Sequence, residues 1–312
     1  MSMSLQQQIS LTSTVWYSMP ALVLETPTLR VITVPGLGAK IVSLFDRING
    51  HEWLLPPTKG DLQPVDYGAP FTQQDMSGWD EMFPTIDRCE YPVAGNYQGV
   101  SLPDHGEVWS LAWTHDEQFT DGIRLSVEGR ALPYRLTRTI QIVDARTVRL
   151  SYEAVNLSDE SLVALWAAHP QFTVDSSTHM VLPDEVSKVI SVQSTPEFPT
   201  LETTAIWPET TIADGSQLQL DRIRPEEDGK YRKFYLPPEQ RVKWAALRQP
   251  LPDQEKDTSL SLSWNAEQVP YLGVWADERA FSPVATIALE PSTGFYDKLS
   301  VAWNNQRVMQ LM

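Results

Sequence analysis

The sequence predicts a mostly antiparallel β protein, one domain over residues 1–312. Three observations carry this. Apolar and polar residues alternate with period two through most of the chain, turn-forming clusters separate the alternating runs, and no long amphipathic helix pattern occurs among 24 scattered prolines. A half-buried strand needs period two because successive side chains leave opposite faces. Proline lacks the backbone donor and clashes with the preceding helical turn, so its frequency argues against long helices.

Taken in order, "LRVITV" (29–34) and "KIVSLF" (40–45) read as strands around the turn "PGLG", with "RING" closing the second. "IRLSVEG" (123–129), "YRLTRTIQIV" (134–143) and "TVRLSYEAV" (147–155) follow as three more. "LVALWAAHPQF" (162–172) is apolar on both faces and reads as one strand buried between two layers. The polar stretches 184–204 and 221–230 are surface loops, and "SLSLSW" (259–264) is a further strand. "PYLGVWADE" (270–278) and "ATIALEPSTGFYD" (285–297) supply the last two. No low-complexity linker divides the chain, and no short repeat of fixed period marks a propeller or solenoid.

Composition narrows the function. A net charge of −16 argues against a nucleic-acid or anionic-membrane partner, since phosphate binding needs clustered Lys and Arg. The single Cys89 allows neither an internal disulfide nor a Cys-based zinc or redox motif. The first twenty residues lack a basic start followed by an apolar run, and no stretch of about 18 apolar residues occurs, so a cytoplasmic location is expected.

Five segments carry candidate chemistry. "SGWDEMFPTIDRCEY" (77–91) reads as a loop that packs Trp79, Asp80 and Arg88 together; aromatic faces beside charges hold sugars, and the same composition suits a buried Trp with its charges outward. "LPDHGEVW" (102–109) places His105 in a turn, where it is a ligand contact or a loop histidine satisfied by backbone. His169 ends the 162–172 strand, where burial would fix its direction and shift its titration; a core histidine with one hydrogen bond fits the same pattern. Glu290 shares a strand face with Thr286 and Ala288, small residues that leave room over the carboxylate. In 270–278 one face is Leu272, Val274 and Ala276. The other is Tyr271, Gly273, Trp275 and Asp277, a glycine-floored aromatic shelf with an acid at its end, or else a second apolar layer.

The segments "PGLGAKIVSLFDRINGHEWLL", "GWDEMFPTID", "LPDHGEVWS", "AAHPQF" and "PYLGVWADE…IALEPSTGFYD", in that order over nearly the whole chain, resemble the aldose 1-epimerase (galactose mutarotase-like) family. The resemblance implies a β-supersandwich of two large, mostly antiparallel sheets with an open cleft for a hexose and no cofactor. It implies His169 as general acid, Glu290 as general base and His105 as a sugar contact. The arginine motif of the galactose-specific members is not found. Arg88 and Asp80 occupy that region, and Lys233 and Asp277 are both candidates for a later aspartate contact.

The chemistry the resemblance implies is hemiacetal opening. A base takes the proton of the C1 hydroxyl, an acid protonates the ring oxygen, and the C1–O5 bond breaks. Acid and base are expected on opposite sides of the ring, a His and a Glu holding opposite protonation states near neutral pH. The sequence offers no spaced ligand set for a metal. Three alternatives remain at this stage: a carbohydrate-binding protein without turnover, a glycoside hydrolase or lyase pairing Glu290 with Asp277 or Asp80, and an epimerase of sugar phosphates.

Overall fold

The computed structural model describes residues 9–58, 60, 62–225, 229–251 and 257–311. The chain divides into two units, Met1–Trp166 with Asp297–Met312, and Ala167–Tyr296. Both are built from antiparallel sheets. Among the described residues the one α-helix is the short Leu299–Asn304, and no helix is long and apolar enough to cross a membrane.

In the first unit, strands Ser10–Trp16, Met19–Glu25, Leu29–Val34 and Lys40–Asp46 each pair antiparallel with the next. Trp79–Met82 joins through Ile41 opposite Trp79. Val23, Ile32, Val34 and Val42 lie in one apolar cluster with Leu37 and Leu62. A second sheet runs in the order Thr147–Asn156, Tyr134–Asp144, Gly122–Glu128, Thr114–Gln118. Period two is visible in Tyr134–Asp144, where Tyr134, Leu136, Arg138, Ile140 and Ile142 all point inward.

Arg138 is the exception to an apolar inward face, and its charge is compensated. Its guanidinium donates to Glu81 at 3.0 Å and to the carbonyl of Ala39. Glu81 also accepts from Tyr152 at 2.7 Å and Trp166 at 2.9 Å. Burial pushes the Glu81 carboxyl up despite these donors. A buried charge persists only when paired in this way.

In the second unit the main sheet has the order Ala167–Pro170, Thr286–Ser292, Tyr271–Glu278, Lys230–Tyr235, Lys188–Ser191, Thr203–Ile206. Phe172–Thr173 continues the pairing of the first of these along Thr286–Ser292. Its apolar face is Phe172, Ile287, Leu289, Leu272, Val274, Ala276 and Phe234, all buried. A separate sheet combines His179–Val181, Trp244–Gln249 and Thr258–Ser263.

Three expectations need correction. The stretch 184–204, expected as a surface loop, contains strand Lys188–Ser191 and the start of Thr203–Ile206, and it buries Val186, Val189 and Phe198. Residues 162–172 form three pieces, Leu162–Ala164, Ala167–Pro170 and Phe172–Thr173. The ladder is left at Leu165 and Trp166, where the Leu165 N–H donates to the Pro84 carbonyl and the Trp166 indole reaches Glu81. The stretch 77–91, expected as a loop, contains strands Trp79–Met82 and Cys89–Glu90.

Candidate functional site

The register of the second unit's sheet assembles the site. Ala167 stands opposite Ser292 and Phe172 opposite Ile287, so one register sets His169 opposite Glu290. Glu290 faces Gly273, which faces Tyr235; Ala288 faces Trp275, which faces Lys233; Thr286 faces Asp277, which faces Tyr231. One sheet face therefore carries a grid of about 5 Å between strands and about 7 Å between rows. Its centre is Gly273 and Ala288. These two small residues make a floor, and the Tyr235 and Glu290 side chains lie over Gly273.

Across that floor runs a buried polar chain. Gln171 Nε2 lies 2.9 Å from His169 Nε2, His169 Nδ1 lies 3.3 Å from Glu290 Oε1, and the Lys233 ammonium donates to Glu290 Oε2. Glu290 is 0% exposed, His169 and Lys233 4% each. Burial pushes the Glu290 carboxyl up, but the Lys233 ammonium and the His169 ring outweigh it and hold the group down at about 2. Glu290 is thus a carboxylate at neutral pH. A Cβ on Gly273 would sit 3.1 Å from the Tyr235 ring and 3.4 Å from Glu290 Oε2, so the missing side chain is the space these two groups occupy.

Aromatic rings border the chain. Tyr231, Trp275 and Phe281 form one cluster with centroids 5.2–5.5 Å apart, and Trp275 and Tyr231 remain half-buried. Tyr235, Phe295 and Tyr271 form another. The expected shelf of Tyr271, Gly273 and Trp275 and the small-residue face of Glu290 are one surface.

No protein-family model and no curated relative matches the sequence. Solved structures do. Over 100% of this chain and 94% of its own, the Slr1438 protein of Synechocystis sp. PCC 6803 superposes with a TM-score of 0.67 at 15% identity. A galactose mutarotase-like protein of Lactobacillus casei has a TM-score of 0.64 at 17% identity, covering 93% of this chain and 95% of its own. A galactose mutarotase related enzyme of Lactobacillus acidophilus has 0.64 at 13%, covering 93% and 92%. The fold is that of the galactose mutarotase-like proteins. At these identities the likeness concerns the fold alone.

Within this fold, several expected site residues have other work. Asp277, expected at a sugar hydroxyl, is 1% exposed and caps the turn after its strand, accepting from the backbone N–H of Ala280 (2.7 Å), Phe281 (3.3 Å) and Ser282 (2.9 Å). In the first unit, Asp80 is 1% exposed and ion-paired with the buried Lys40. Trp79 is 7% exposed, a core residue and no open platform. His169 and Glu290, expected on opposite sides of a sugar ring, touch each other, because antiparallel neighbours put directly opposed side chains on the same face.

His105 is held firmly in its own unit. Its φ of 58° places it in the left-handed region, and Gly106 follows at 70°. A Cβ on Gly106 would lie 2.2 Å from the Phe83 carbonyl oxygen, so only glycine fits. The His105 ring stacks on Phe71 at 4.0 Å and 9°, and Nδ1 lies 3.0 Å from Asp104 Oδ1. The other Asp104 oxygen accepts from the Phe71 N–H at 2.9 Å. Burial raises Asp104, but the contact with His105, the Phe71 N–H and the charge of Arg88 together lower it. Arg88 itself is exposed and donates to the Gly68 carbonyl at 3.1 Å.

Sequence reasoning passed over Gln171, Phe71 and Lys40. Gln171 was within reach: it lies two residues beyond His169 and so on the same face. Nothing local marks Phe71 or Lys40. Among the described residues no group of three or more His, Cys, Asp or Glu is placed to hold a metal ion.

Proposed function

We propose that this protein is an aldose 1-epimerase, interconverting the α and β anomers of a free hexose with His169 and Glu290 as its acid–base pair. The observation that carries this reading is their contact at 3.3 Å on a floor of small residues. O1 and O5 of a pyranose are bonded to the same carbon, so an acid and a base that touch each other reach both atoms from one side. Glu290 takes the proton of the C1 hydroxyl while an imidazolium at His169 gives one to O5, and the C1–O5 bond breaks to leave the open-chain aldehyde. Rotation about C1–C2 and the reverse transfers close the other anomer. Protons and electron pairs balance without a cofactor.

Lys233 tunes the base. Its ammonium keeps Glu290 weakly basic in the resting site, and a sugar hydroxyl that draws the ammonium to itself raises the carboxylate's proton affinity when it is needed. The half-buried Trp275 offers a face for the sugar's C–H side.

Two-dimensional exchange NMR on α/β-glucose and α/β-galactose tests this. Exchange faster than in buffer is expected, falling by about 10²–10⁴-fold in Glu290→Gln or His169→Ala while sugar binding partly survives. Unaltered exchange in both variants refutes the assignment. The second reading, sugar binding without turnover, is favoured by the Lys233 clamp on Glu290; bound sugar with no enhanced exchange in the unaltered protein selects it.

A further inference from the structure

Gln171 is 5% exposed; its amide nitrogen contacts His169 Nε2, and its buried Oε1 has no protein hydrogen-bond partner. An amide nitrogen only donates, so the ring nitrogen beside it accepts, and the imidazole proton sits on Nδ1, toward Glu290. In this arrangement the ring is the neutral one. If the amide turns end for end, Oε1 faces Nε2 and accepts from Nε2–H, which suits the imidazolium. A glutamine alone offers both arrangements: a glutamate here only accepts and favours the charged ring, a lysine only donates and holds the neutral one, a methionine does neither.

We propose that Gln171 is a positioning residue that follows the protonation of His169, donating to the neutral ring and accepting from the imidazolium, so that Nε2 is the atom that gives and regains the proton. The proton delivery rests on the epimerase reading; the exchange of hydrogen bonds does not. The charged groups of neighbouring strands on this face are Glu290, Lys233 and Asp277. Lys233 and Glu290 neutralise each other as an ion pair, and Asp277 is bound to three backbone N–H groups. Together with Glu290 at Nδ1, the partner at Nε2 therefore bears directly on how readily the buried ring charges.

The experiment is ¹⁵N NMR titration of the histidine rings in the whole protein, with His169 assigned by loss of its signals in His169→Asn. The unaltered protein is expected to show Nδ1 protonated and Nε2 accepting at high pH. The His169 midpoint should rise by about one pH unit or more in Gln171→Glu and fall in Gln171→Met. The alkaline limb of anomer exchange should move in the same order. Identical midpoints in all three proteins, or a ring protonated on Nε2 at high pH, overturn the proposal. If Gln171→Met does not fold, the Gln171→Glu shift decides. A midpoint order as expected with no anomer exchange at any pH keeps Gln171's role and removes the epimerase; robust exchange with unmoved midpoints does the reverse.

Discussion

Replacing Lys233 by Met removes one ammonium from beside Glu290 and keeps most of the side-chain volume. In the native protein the drop of the Glu290 carboxyl from 4.5 to about 2 corresponds to about 3 kcal/mol of stability. The sign follows from the direction: a lowered carboxyl contributes fully above pH 4.5 and loses that contribution as pH falls toward 2. Without Lys233, burial dominates and raises the carboxyl above 4.5, so the variant carries an uncompensated buried charge at pH 7, a loss of about 3–5 kcal/mol. Acid relieves it by protonating Glu290. Urea unfolding at pH 7, 5 and 3 should therefore show a gap between the two proteins that narrows steadily as pH falls. A gap of the same size at all three pH values would mean that Lys233 stabilises by packing and that the electrostatic account of this site is wrong.

Gly106→Ala should cost about 2–4 kcal/mol in urea unfolding, because the new methyl meets the Phe83 carbonyl at a left-handed backbone position; a loss under about 0.5 kcal/mol would show that the turn yields easily. Arg138→Met should lose about 3–5 kcal/mol at pH 7 by stranding Glu81, and adding Glu81→Leu should recover part of it. A double variant no better than the single one counts against that coupling. Trp275→Ala should weaken sugar binding about fivefold, roughly 1 kcal/mol, by NMR titration, with little change in the exchange rate at saturation.

Strands were legible where residue type alternates. Tyr134–Asp144 alternates cleanly in burial; Leu29–Val34 and Tyr271–Glu278 alternate in residue type although most of both faces is buried, and the faces assigned to Glu290 and Trp275 from alternation are those that the register joins. Alternation reports the face a side chain leaves by. It is silent on which residue stands opposite. Lys233 lies 57 positions from Glu290 and His169 lies 121 from it, so their contact depends on the pairing of distant strands. The same reason hid Lys40 from Asp80 and Glu81 from Arg138. Residues 162–172 misled for a different cause. A segment buried on both faces has no period to break, so the departure from the ladder at Leu165 and Trp166 leaves no mark in the residue pattern.

The accounting of charges also separates the candidate chemistries. Glycoside hydrolysis needs two carboxyl groups about 5–10 Å apart across the scissile bond. On this sheet face Asp277 stands two rows and one strand from Glu290, roughly 15 Å between backbone positions by strand geometry, and both its oxygens are bound by the turn it caps. Asp80 is tied to Lys40. A sugar phosphate at this pair would need further cations on the same sheet, yet there Lys233 is paired with Glu290 and Arg232 with Glu278, which also binds Arg224. What remains is one carboxylate and one imidazole in contact. A pair that can do little but move a proton between neighbouring oxygens matches a reaction in which both oxygens belong to a single carbon.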